Sequence, residues 1–126
     1  SSDVCSSDLN DGTTNNRIML FASSDRSVRA TVVNGGTTQA TIFASGKWND
    51  GVRVKVAAAF KNNDLALSVD GGLVTSAGGI AIPSGINELD LGYARSGPTQ
   101  PINGWIESIR YFPNRLSNAQ LQALTA

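Results

Sequence analysis

Apolar and polar residues alternate with a period of two through most of this chain, and that pattern restricts it to a protein built from half-buried strands. Val52, Val54, Val56, Ala58 and Phe60 alternate with Arg53, Lys55, Ala57, Ala59 and Lys61, which predicts one long strand. Leu65, Leu67 and Val69 alternate with Ala66, Ser68 and Asp70. The Asn62-Asn63-Asp64 link predicts a hairpin between the two runs, and Asp70-Gly71-Gly72 turns the chain again. Earlier, Val28, Ala30 and Val32 mark a strand joined through Asn34-Gly35-Gly36 to one carrying Ala40, Ile42 and Ala44. Arg17 to Ala22 is apolar on both faces and suits a central strand; Leu89 and Leu91 mark one more.

The C-terminus reads differently. Trp105 to Phe112 is rich in aromatic and branched residues and predicts a strand stopped by Pro113. Strict alternation cannot turn Ile106, Ile109 and Tyr111 all inward, so a bulge is expected near Glu107 and Ser108. A helix over 117–124 follows. Ser117 fits its N-cap, Gln120 completes a capping box, and Leu116 can staple onto Leu121. Leu121 and Leu124 form the expected apolar stripe. Strands at short spacing with a single terminal helix predict an antiparallel sandwich, with Val54, Val56, Phe60, Leu67, Val69, Leu89, Leu91, Ile106 and Ile109 buried.

Gly104, Ile106, Ile109, Arg110, Tyr111 and the Arg115-Leu116-Ser117 linker resemble the C-terminal signature of laminin-G-like domains, which are concanavalin-A-like jelly rolls. The stretch from Lys55 to Val74 is similar to that family's central hairpin. With YFPNRLSNAQLQALT near its end, the chain looks most like terminal domains of phage or prophage tail, fibre or head-spike proteins. The resemblance implies an all-β antiparallel jelly-roll sandwich with a short C-terminal helix. Residues 47–125 carry it well, and residues 10–46 only in strand pattern.

Residues 1–9, SSDVCSSDL, resemble the translation of a sequencing adapter. The expectation is therefore that they lie outside the fold and pack poorly. The laminin-G-like domain would span 10–126 as an N-terminally truncated unit, with the strand at 104–112, or its neighbour, left with an unpaired edge or an uncovered apolar face.

The chain of 126 residues, 40% hydrophobic, is long enough for one two-layer core. Its 10 basic residues balance 10 acidic ones, and setting Asp3 and Asp8 aside leaves 10 against 8. Near-neutrality argues against a nucleic-acid partner, which needs a clustered basic face. No apolar run approaches the roughly 20 residues of a membrane span. The sole cysteine, Cys5, allows no disulfide within the chain.

Without histidine, a Ser-His-Asp or Cys-His nucleophile and a histidine-ligated zinc site are excluded. Glu88 and Asp90 share one strand face and faintly resemble the E-x-D core of jelly-roll glycoside hydrolases. Gly92 and Tyr93 follow where that motif places a second carboxyl, so the pair reads as a solvated strand face. Asn62, Asn63, Asp64 and Asp70 offer hard oxygens to calcium, but turn formation explains them as well, and no ligand set is assigned.

Sugar binding requires aromatic faces for stacking and planar polar groups for hydroxyls. Tyr93 and Trp105 flank one loop that holds Arg95, Gln100 and Asn103, and these five are the candidate ligand-binding residues. Trp105 points opposite Ile106 and is expected on the outer face or at a partner interface. Trp48 is expected to pack in the core or at an edge. The leading function is a non-enzymatic binding module of a phage or prophage appendage protein, on a virion or extracellular surface, contacting cell-surface carbohydrate. The alternative is a structural module packing against other virion chains; a divergent glycoside hydrolase ranks last.

Overall fold

The computed structural model describes residues 4–45, 48, 49, 51–92 and 104–126, with side chains from residue 7 onward. Among the described residues, eight strands and one helix are formed: β1 (Val4–Asn10), β2 (Arg17–Ala22), β3 (Val28–Asn34), β4 (Thr37–Ala44), β5 (Val56–Lys61), β6 (Asp64–Val69), β7 (Thr75–Gly78), β8 (Glu88–Leu91) and α1 (Asn118–Thr125). They build two antiparallel sheets, one ordered β4-β3-β2-β1-β8 and the other β5-β6-β7. The chain is a β-sandwich.

The core is the meeting of two alternating faces. Ile18, Val28, Ala30, Val32 and Ile42 of the larger sheet meet Leu65, Leu67 and Val69 of β6, and Val54, Val56, Phe60 and Trp48 pack half-buried against them. Trp48 donates its indole N–H to the Ser23 carbonyl at 3.3 Å. Gly35 and Gly36 both hold positive φ in the two-residue turn between β3 and β4, a conformation that favours glycine.

The smaller sheet is covered on both faces. Its outward residues are small, and Ala59, Ala66 and the half-buried Ala57 receive Leu121 of α1 and the flanking Leu116. Ser117 closes the expected capping box with Gln120. The helix seats Leu121 and Thr125 rather than Leu121 and Leu124, because the Thr125 hydroxyl is drawn onto the turn after β6; Leu124 stays 40% exposed. Thr125 anchors the far end, accepting from Gly71 N–H at 3.0 Å.

Several expectations are corrected. Val4–Asn10 pairs with β2 on one side and β8 on the other, so this strand crosses the expected boundary at Asn10, and residues 4–9 are not loosely placed. Main-chain ladder bonds do not depend on side-chain type, and within this strand Leu9 reaches the core while Asp8 reaches Arg17. The strand read from Val52 starts only at Val56, because a turn through Gly51 precedes it and Val52 is left exposed. Leu89 and Leu91 face inward yet are 47% and 42% exposed, since the three described strands of the smaller sheet do not reach across all five of the larger. Trp105 to Phe112 forms no strand, and Ile106 and Ile109 are 40% and 50% exposed. A strand needs a ladder partner, and no described strand pairs with this segment.

Candidate functional site

The outer face of the larger sheet can be read row by row from its register. One row runs Asp90, Asp8, Met19, Thr31, Thr41 across β8 to β4; the next runs Glu88, Asn10, Arg17, Val33. A third row sets Phe21, Arg29 and Phe43 side by side. Outward positions of this kind are ordinarily wet, yet Asp8 and Asn10 are 0% exposed and Met19 is 3% exposed.

The buried polar groups hold one another. Asn10 donates from Nδ2 to Asp90 Oδ2 at 2.9 Å, and Arg17 Nη1 lies 3.4 Å from Asp8 Oδ2. Glu88 and Asp90 therefore do share a face, as their spacing predicts, and the register brings Asp8 opposite Asp90. Sequence reasoning missed Asp8 because its segment was set aside. A second carboxyl beside Asp90 is the feature whose lack weakened the hydrolase reading, but Asp8 is sealed from solvent and paired with a cation.

The accessible part of the face lies toward β4. Phe43 is 50% exposed, and the Arg29 guanidinium sits 5.5 Å from its ring centroid. Arg29 is aimed by Asp25 at 2.8 Å and by the Ser27 hydroxyl, to which its Nε donates at 2.8 Å. Asp25 accepts from the Ser27 hydroxyl and from Ser27 N–H, and these bonds, joined by Arg29, hold its carboxyl down to about 2. An aromatic ring, a fixed guanidinium, a carboxylate and the exposed Thr41 thus occupy one surface. The signal was present in the sequence, since Phe43 falls out of phase with Ala40, Ile42 and Ala44.

Of the expected ligand residues, Tyr93, Arg95, Gln100 and Asn103 lie outside the described residues. Trp105 is described, and its side chain is 97% exposed. The oxygens considered for calcium serve the protein: Asp64 pairs with Arg115 at 2.9 Å, Asp70 Oδ1 accepts from Lys55 N–H, and Asn62 Oδ1 from Ile82 N–H. Among the described residues, no group of three or more acidic, histidine or cysteine side chains is placed to hold a metal ion.

No protein-family model matches the chain, and no curated protein does. Among solved structures it is similar to the CBM40, a carbohydrate-binding module, of the Ruminococcus gnavus IT-sialidase. The TM-score is 0.78 at 23% identity, over 98% of this chain and 74% of that one. The same module bound to alpha2,3 sialyllactose matches equally, with TM-score 0.78. An S-layer domain-containing protein from Clostridium thermocellum ATCC 27405 matches more distantly, with TM-score 0.51 at 18% identity over 99% of this chain and 64% of that one. The fold is thus a jelly-roll β-sandwich with a short terminal helix.

Proposed function

We propose that this chain is a non-catalytic carbohydrate-binding module. The observation that carries the reading is its fold, which over 98% of the chain follows that of a module with a sialyllactose complex. The outer sheet face supports it with suitable chemistry: Phe43 offers a ring for stacking, and Arg29, Asp25 and Thr41 offer donors and acceptors for hydroxyls. Tyr93, Arg95, Gln100, Asn103 and Trp105 are proposed as further contacts from the loop after β8. The terminal signature leads us to place the module in a phage or prophage appendage protein, displayed on a virion or extracellular surface.

Glycan-array screening followed by calorimetry on the intact chain tests this reading. Binding is expected for wild type and lost in Phe43→Ala, with melting unchanged because half of the ring already faces solvent. Wild-type protein that retains no glycan, or a Phe43→Ala variant that binds as wild type does, would refute it. A purely structural role is the second reading, and the exposed apolar residues Trp105, Ile106, Ile109 and Tyr111 favour it.

A further inference from the structure

Both guanidiniums described on the outer face of the larger sheet already have a carboxylate against them. Arg17 Nη1 lies 3.4 Å from Asp8 Oδ2, and Arg29 Nη2 lies 2.8 Å from Asp25 Oδ2. Glu88 and Asp90 of β8 add two further carboxylates to the same face. Among the described residues that face therefore sets Asp8, Asp25, Glu88 and Asp90 against Arg17 and Arg29, and no cation is in surplus. Arg95, the one charged residue in the stretch 93–103, offsets a single carboxylate at most. Arg26 belongs to the same turn as Asp25, but its Nη1 donates to Asn49 Oδ1 at 3.0 Å, next in the chain to the core-packed Trp48.

The hydrogen bonds around Arg29 act in the same sense. Asp25 Oδ1 takes both Ser27 donors and Oδ2 takes Arg29, so Oδ2 keeps room for one more donor. The Arg29 edge formed by Nε and Nη2 is filled by Ser27 Oγ and Asp25 Oδ2, while Nη1 makes no hydrogen bond among the described residues. The side-on fork that would grip a carboxylate with two parallel bonds is thus already used. Neutral hydroxyls suit what remains. One hydroxyl of a sugar ring gives its proton to Asp25 Oδ2 while its neighbour accepts from Arg29 Nη1, with the half-exposed Phe43 ring beside them. A carboxylate or sulfate placed there would instead stand against Asp25, whose carboxyl the Ser27 bonds hold down to about 2 and so keep charged in neutral solution.

We propose that the Phe43 surface selects uncharged glycosyl units and rejects sialic acids, uronic acids and sulfated sugars. This selectivity rests on the carbohydrate-binding reading above. Sialyllactose, found on the similar module, joins an acidic sugar to neutral lactose, and the charge pattern of this chain fits the lactose part alone.

Calorimetric titration of the intact chain with matched pairs tests the proposal: lactose against alpha2,3 sialyllactose, and each neutral glycan retained on the array against its sulfated or uronic acid counterpart. The neutral member should bind about tenfold more tightly at low salt, with the gap narrowing as sodium chloride screens the repulsion. Asp25→Asn removes the facing charge. It should raise affinity for the acidic member severalfold while lowering it for the neutral one, a gain that misfolding cannot imitate. An acidic glycan that binds more tightly than its neutral partner and is lost in Phe43→Ala would overturn this selectivity and leave the carbohydrate-binding reading standing. Equal affinities within the pairs, or no gain in Asp25→Asn, would overturn it as well. A chain that retains neither member of any pair refutes the carbohydrate-binding reading, and the selectivity falls with it.

Discussion

Replacing Leu121 by Ala isolates the seating of the terminal helix on the sheet. Leu121 is 2% exposed and lies over Ala59 and Ala66, with Ala57, Val74 and Leu116 around it. The substitution removes three carbons, worth about 2.4 kcal/mol at ~0.8 kcal/mol per buried carbon. A cavity cost adds to this, since alanine methyls cannot swing into the space, and a total of about 3 to 4 kcal/mol is expected. Leu124→Ala is the matched control. At 40% exposure and with no closed cavity behind it, its cost should be about 1 kcal/mol. Urea denaturation of both variants, with unchanged m-values, measures the difference. Equal losses would refute the assignment of Leu121 and Thr125 as the buried face and restore the stripe through Leu121 and Leu124.

Thr125→Val should lose about 1 to 3 kcal/mol in the same assay, because it keeps the shape but leaves Gly71 N–H without its acceptor. Gly71→Ala should also destabilise, since φ is +73° and the added carbon would stand 3.2 Å from Ala126 Cα; full wild-type stability would contradict that contact. Asp25 has a depressed folded-state pKa, so its contribution is fully present above about pH 4, near the unfolded value, and is lost as pH falls toward about 2. The stability gap between wild type and Asp25→Asn should therefore close across that window, and a gap that persists at pH 2 would show another origin. Trp105→Ala should leave melting nearly unchanged at 97% exposure, and Ile106→Ala should cost about 1 kcal/mol at 40%, as Leu124→Ala does; a loss of about 3 kcal/mol or more in Ile106→Ala would return it to the core.

Legibility followed how locally each feature is determined. The β3–β4 and β5–β6 hairpins were readable because alternation and turn residues sit within one short stretch, and Ser117 and Gln120 marked the helix start through a motif of four residues. The buried face of that helix was misread, because Leu124 is apolar and Thr125 is not. What decides it is the contact of Thr125 with Gly71, which lies far away in sequence. Leu89 and Leu91 obey the alternation and still lie open, since cover depends on how many strands the opposite sheet supplies. Trp105 to Phe112 has strand composition without a strand, because pairing belongs to two segments and composition to one. The Phe43 surface needed β3 and Asp25 to become visible, and Asp8 was missed through the dismissal of its segment.

The double cover of the smaller sheet sets an order for local opening. β6 is paired on both edges, by β5 and β7, and is covered on both faces, by β3 and β4 beneath and α1 above. Its amides can meet solvent deuterons only when the whole sandwich comes apart. β8, at a sheet edge and with half-exposed leucines, can peel away while the rest stays folded. The slowest-exchanging protons should therefore cluster on Leu65 to Ser68. The Arg29 and Phe43 surface lies toward β4, at the opposite edge of that sheet with three strands between, so the β8 rim can shift without disturbing the β3–β4 pairing that holds it.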